Sequence, residues 1–261
     1  MRYLNLFITL IKISFSRILI YRGNFASHAT SSVGWGIFSV ISIMLLTSKT
    51  PVVFGWSRNE LILLTVLMNV IFGVYRSFID ANFWRFSQII HYGDLDIVLL
   101  KPVDSQFQMS LWIFDLSSLL RFLFASIFAV YLIIIFHIPV SFVSILFFFI
   151  LSTASIILLY SITFILLTLT IWFTRLSNLI DLINTVTNAS RYPKEMFEHL
   201  TTFVFFILLP IVIIISTPVK ALFQKGSLSD SILLLAFAFV FFSISRVFWK
   251  FALRFYASAS G

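Results

Sequence analysis

The sequence predicts an all-α integral membrane protein: one domain of six transmembrane helices, with an N-terminal amphipathic interfacial helix and a cytoplasmic connecting helix. Three observations lead there. The 261 residues are 60% hydrophobic and only 11% charged, outside the range of soluble domains. The apolar residues fall into runs of about 20, the length a helix needs to cross a hydrocarbon core of roughly 30 Å. Continuous runs such as SILFFFILSTASIILLYSITFILL lack the period-two alternation of a membrane barrel strand.

Residues 1–25 place Arg2, Lys12 and Arg17 among Leu, Ile and Phe, the pattern of a helix lying in the membrane interface, a direct contact with lipid. The charges interrupt any signal-peptide core, so the segment is expected to be retained. Gly23 and Asn24 are expected to break this helix. The first span is 29–48, ending before Lys49 and Pro51, and the second is 60–80. A polar loop, 81–110, separates it from the third span, 111–135, which carries Asp115 and Arg121 near its start. The break His137, Ile138, Pro139 leads to a fourth span, 141–168. A polar helical segment, 174–192, precedes a shorter apolar run that contains Pro210, and 231–250 is the last span; either 174–192 is the fifth crossing, or 174–199 stays cytoplasmic and 201–219 crosses.

Lys and Arg placement orients the chain. With the N-terminus inside, the cytoplasmic side receives Arg2, Lys12, Arg17, Arg22, Arg76, Arg85, Lys101, Arg175, Arg246, Lys250 and Arg254, and the outside only Lys49, Arg58, Arg191, Lys194, Lys220 and Lys225. Both termini and the 81–110 loop are therefore expected in the cytoplasm. The net charge of +8 reflects these span ends rather than a stripe with interleaved aromatics, so nucleic acid is not an expected partner. There is no cysteine for disulfide or thiolate chemistry, and no two of His28, His91, His137 and His199 stand at metal-ligand spacing. No phosphate-cradling loop, HExxH or GxSxG motif occurs, so the chain is not expected to be an enzyme.

The stretch HYGDLDIVLLKPVDSQF holds three of ten acidic residues, Asp94, Asp96 and Asp104. Gly93 is suited to end one helix in the left-handed conformation, Asp94 to cap the next and Pro102 to stop it. The resulting helix of about two turns, through Lys101, has Leu95, Val98 and Leu99 on one side and too little polar surface to stand free in water. Its carboxylates would meet anionic headgroups unfavourably, which points to a protein partner.

In these features the sequence resembles the permease subunits of ABC-2 type transporters, particularly a bacterial group of viologen and multidrug exporters. The resemblance rests on the amphipathic N-terminal helix, the G-D-L-D-x-x-L-L-K-P-V loop from Gly93 to Val103, Tyr192–Pro193 before a broken apolar run, and the terminal R-F-Y-A-S-A-S-G. It implies that Gly93, Asp94, Leu95, Asp96, Val98, Leu99, Lys101 and Pro102 form a coupling helix for a separate cytoplasmic ABC ATPase, which binds the ATP and Mg²⁺. It further implies a fifth helix, 174–192, that carries Asn178 to Asn188, an extracellular re-entrant hairpin over 193–218, a second permease, identical or related, and a bacterial plasma (inner) membrane location, with no cofactor in this chain. The sequence is richer in Phe and Ile than that family's pattern, which blurs span boundaries.

In NLIDLINTVTNAS the polar residues Asn178, Asp181, Thr185 and Asn188 share one helical face. They are candidates to line a pathway. Asp181 suits a cationic, amphipathic cargo, or else pairs with Arg175 or Arg121. Two other functions fit the hydropathy: a secondary transporter, which would call for mid-membrane charges and internal repeats, and a non-transporting scaffold, which leaves the short cytoplasmic helix without a purpose.

Overall fold

The computed structural model describes residues 2–49, 52–53, 55–173, 185, 192–197 and 202–256. The N-terminal helix α1 (Arg2–Ile20) meets α2 (Arg22–Leu46) at Tyr21, whose φ of −112° and ψ of 53° make the break. Gly23 and Asn24, expected to break the helix, lie instead in the exposed first turn of α2, where a weak helix propensity costs least because the first amides have no intrahelical partner to lose. A two-residue hairpin pairs β1 (Val52–Val53) with β2 (Trp56–Ser57), and Gly55 takes φ +79° in its turn.

Ser57 and Glu60 then form a capping box, with Ser57 N donating to Glu60 Oε2 at 2.9 Å. Helix α3 (Arg58–Tyr75) follows, then a π-helical turn at Arg76–Asp80, then α4 (Ala81–His91). Together they make a span candidate of 33 residues, Arg58–Ile90. The helical second span thus takes the first third of the loop expected at 81–110, because nothing before Gly93 breaks a helix.

Helix α3 is buried on nearly every side and packs on α2 and on α7 (Leu116–Ile135). Gly73 makes the closest approach: a Cβ built there would sit 2.8 Å from Phe122 Cβ and 2.9 Å from its Cα. Small residues at such crossings let membrane helices pack backbone to backbone. Helix α7 ends in a Schellman motif, with His137 at φ 49° and Ile138 N donating to Ile133 O at 3.2 Å. Ser141 caps α8 (Phe142–Thr168), its Oγ accepting from Ser144 N at 3.1 Å.

Helix α9 (Thr202–Leu222) contains Pro210 and Pro218, and α10 (Leu228–Ala252) completes the bundle. Pro218 has no N–H for the Ile214 carbonyl, four residues earlier. Ser155 of α8 lies 2.6 Å from that oxygen and supplies the donor, so the freed carbonyl is satisfied inside the bundle, as an apolar environment demands.

Among the described residues five helices are long and apolar enough to cross a membrane: α2, the α3–α4 run, α7, α8 with its 3₁₀ extension, and α10. Their ends define two faces. At the β-hairpin face, Trp56 Nε1 donates to Glu195 Oε2 at 3.1 Å, Glu195 pairs with Lys220, and Lys225 Nζ lies 2.5 Å from Glu60 Oε1. Burial raises the Glu195 pKa, but the Lys220 hydrogen bond brings it to a net value below the ordinary range. At the other face, Trp172 after α8 stacks among Phe248, Phe251 and Phe255. Trp56 and Trp249 are core residues.

Replacing Gly73 with Ala is expected to force the α3–α7 crossing apart and cost about 1–3 kcal/mol. The melting temperature of the purified protein should fall accordingly; an unchanged value would show that α7 gives way freely.

Candidate functional site

The segment after α4 is built as a platform. Gly93 takes φ +78°, the left-handed turn that ends α4, and a five-residue helix, α5 (Leu95–Leu99), follows. Asp94 occupies the position before α5, but its backbone is helical (φ −71°, ψ −1°) and its side chain accepts no capping bond. The expected cap fails because a capping carboxylate needs an extended backbone to reach the free amides. Asp94 instead lines a 130 Å³ cavity with Arg85, Lys101 and Trp112, where Lys101 Nζ lies 4.1 Å from the Trp112 ring centroid. Pro102 follows the last turn.

The burial of α5 divides its apolar residues differently from the expected groove-filling face. Leu95 is 0% and Val98 7% exposed, both turned into the chain's own core. Ile97 at 58%, Leu99 at 40% and Leu100 at 83% point outward. With five residues and hydrophobic contacts on both sides, the helix spends one face on attachment and offers the other.

Helix α10 and the turn that follows it hold both ends of this platform. At its start, Tyr256 donates to Gly93 O at 3.3 Å; burial, with the Asp96 charge beside it, holds the phenol above its ordinary pKa. At its end, Asp104 caps α6 (Ser105–Ser110), accepting from Phe107 N at 3.0 Å. Arg246 grips the same carboxylate with both terminal nitrogens, Nη1 at 2.7 Å from Oδ1, and reaches Gln106 Oε1 at 3.1 Å. Trp249 Nε1 donates to Ser105 Oγ at 3.0 Å, and Gln106 Nε2 to Tyr160 OH of α8 at 2.9 Å. The Arg246 hydrogen bond holds the Asp104 carboxyl below the usual carboxylate range, against the opposing effect of burial.

Residues 111–115 are not helical, and Asn82 of α4 secures them. Its Oδ1 accepts from Trp112 N at 2.9 Å and Ile113 N at 2.7 Å, and its Nδ2 donates to Ile113 O at 2.9 Å. Asp115 N donates to Ser77 O at 2.9 Å, within the π turn, while its carboxylate caps α7 through Ser117 N at 2.9 Å. Phe114 N donates to Ser14 Oγ of α1 at 3.2 Å.

A second polar cluster lies within the bundle. Arg121, 5% exposed, donates through Nε to Asn69 Oδ1 at 2.9 Å, and Asn69 Nδ2 reaches Ser39 Oγ at 3.0 Å, joining α7, α3 and α2. Arg121 is considered above as a partner for Asp181, which lies outside the described residues. Asn178, Asp181 and Asn188 fall outside the described residues; Thr185 is helical and exposed. The structure therefore gathers Gly93 to Pro102 into one element. Sequence reasoning missed Asn82, Gln106, Tyr160, Arg246, Trp249 and Tyr256. The one available signal was Arg246, a cation inside an apolar run that was read only as an orientation marker.

These elements define a helical, multi-pass membrane protein with a short helix braced against its spans. The family pattern described as ABC-2 family transporter protein matches residues 33–260, all but the first 32 residues and the last. The chain belongs to that family of ABC-2 type permeases, which implies partnership with an ABC ATPase. No curated protein and no solved structure matches it.

The Asp104–Arg246 contact should give a coupling free energy of about 1 kcal/mol in a double-mutant cycle of Asp104→Asn and Arg246→Gln, its partial exposure limiting the value. Because the folded carboxyl sits below its unfolded pKa of about 3.9, this stability is fully present above that pH and is lost as pH falls through the folded value. A cycle at neutral pH showing no coupling would contradict the assignment.

Proposed function

We propose that the chain is the permease subunit of an ATP-binding cassette exporter in a bacterial plasma membrane, forming half of a translocation pathway with a second permease. A separate cytoplasmic ATPase subunit, carrying the ATP and Mg²⁺, docks on α5. The observation that carries this is the outward face of α5: Ile97, Leu99 and Leu100 stand exposed on a helix whose other face is locked into the bundle. Asp94 and Asp96 beside them disfavour an anionic lipid surface and favour a protein groove. Movement of that groove reaches the spans through Asn82, Asp104 and Tyr256.

On this reading the α5 end and both termini are cytoplasmic, following the Lys and Arg distribution. The ends of the 174–191 segment support a further crossing: Trp172 lies at the α5 face and Glu195 at the β-hairpin face. The Glu195–Lys220 pair, a contact between residues near the two ends of the 193–218 region, supports a re-entrant hairpin there. Asn178, Asp181, Thr185 and Asn188 are our candidates for the pathway wall.

Replacing Leu99 with Asp puts a charge into the docking groove and should cost a few kcal/mol of ATPase affinity. In detergent the variant should melt like the unmodified protein yet recover little ATPase and transport poorly; normal recovery and transport would remove α5 from coupling. For the topology, Lys194→Cys in this cysteine-free chain should react with a membrane-impermeant maleimide in intact cells. Labelling only after lysis would reject the external hairpin.

A further inference from the structure

A second cavity at the α5 face, of 550 Å³, lies between α1, α2, the π turn and the start of α7. Into it come Arg17 from α1, Arg76 and Asp80 from the π turn, Trp35 from α2, Trp84 from α4 and the α7 cap Asp115. Asp115 is occupied by Ser117 N and Ser118 Oγ. Asp80 feels the charges of Arg76 and Asp115 without a hydrogen bond to either. Among the described residues, Arg17 and Arg76 have no hydrogen-bond acceptor and Asp80 has no donor. Arg17 is exposed and Arg76 and Asp80 are half-buried, and although Arg76 and Asp80 attract each other, the guanidinium donors and the carboxylate oxygens stay open to a ligand that brings the complementary groups.

Two guanidiniums fit a phosphate, which accepts from both, and a separate carboxylate fits an ammonium. The ligand therefore carries an anionic phosphate and a primary amine within one small group. Trp35 and Trp84 are more than half exposed at the cavity wall, and amphipathic indoles of this kind favour headgroup depth. Beyond the cavity, α2 continues outward with Ile37, Phe38 and Ile41 exposed, a surface suited to acyl chains and not to a free metabolite.

We propose that this cavity is a binding site for a phosphoethanolamine-type lipid headgroup, its phosphate held by Arg17 and Arg76 and its ammonium by Asp80. Such a lipid ties the interfacial helix α1, through Arg17, to the π turn that leads into the platform. The site is separate from ATPase docking and stands or falls without it.

The test is native mass spectrometry and thermal shift on the purified full-length protein, with phosphatidylethanolamine and phosphatidylglycerol of identical chains, and with soluble phosphoethanolamine. The expected result is retention of phosphatidylethanolamine about tenfold over phosphatidylglycerol, the scale of one charge-assisted hydrogen bond. Asp80→Asn should bring that ratio close to one while phosphatidylglycerol binding persists. Arg17→Ala, on the peripheral helix and so no threat to folding of the bundle, should weaken both lipids. Equal retention of the two lipids by the unmodified protein, or lipid binding unaffected by Arg17→Ala, would overturn the site. Stabilisation by soluble phosphoethanolamine equal to that by the lipid would overturn the lipid as its occupant.

Discussion

The grip of Arg246 on Asp104 is the contact on which the α5 platform depends. A five-residue helix has no stability of its own, since nucleating even one turn is unfavourable. It persists here because both its flanks are tied to elements that cross the membrane. Asp104 caps α6 and receives Arg246 at once, so the carboxylate that shapes the loop also fastens it to α10. Tyr256 fastens the other flank at Gly93. A load applied to the exposed face of α5 is thereby delivered to α10 directly, and through Gln106 and Tyr160 to α8.

The same economy governs the unwound residues before α7. Backbone amides outside a helix at this depth must find partners or cost several kcal/mol each, and a single side chain, Asn82, serves Trp112 and Ile113. The π turn one step earlier leaves Ser77 O for Asp115 N. Irregular backbone is thus admitted only where α4 and the π turn can satisfy it, which makes the junction between the second and third crossings stiff on its α4 side. Helices α3, α4 and α7 meet there, so displacement of α5 bears on α3 and α7, the pair that makes its closest approach at Gly73.

Much of this was legible in the sequence because apolar run length and Gly or Pro placement are local. The positive φ of Gly93, the break between α7 and α8 at His137 to Pro139 and the class of fold all follow from such signals. Asp94 and the face of α5 were not legible. A five-residue helix does not declare which apolar residues its own chain will claim, and burial of Leu95 and Val98 depends on α4 and α6. The clamp was hidden for a different reason: Arg246 and Asp104 stand 142 residues apart, and nothing in local pattern links them. Asn82 looked like one more polar residue in a loop, when it lies in a helix that no breaker had ended.

The central claim is that the platform and the end of α10 move as one body. Spin labels at Pro102, in the exposed turn after α5, and at Lys250, on the exposed side of α10, test it in the otherwise cysteine-free protein assembled with its ATPase. Pulsed dipolar spectroscopy in nucleotide-free and ATP-bound states should give one narrow distance, unchanged to within about 2 Å, with broadening in Arg246→Gln. A shift of roughly 5 Å, the scale of a one-turn displacement between packed helices, would show that α5 moves independently of α10 and would contradict the account.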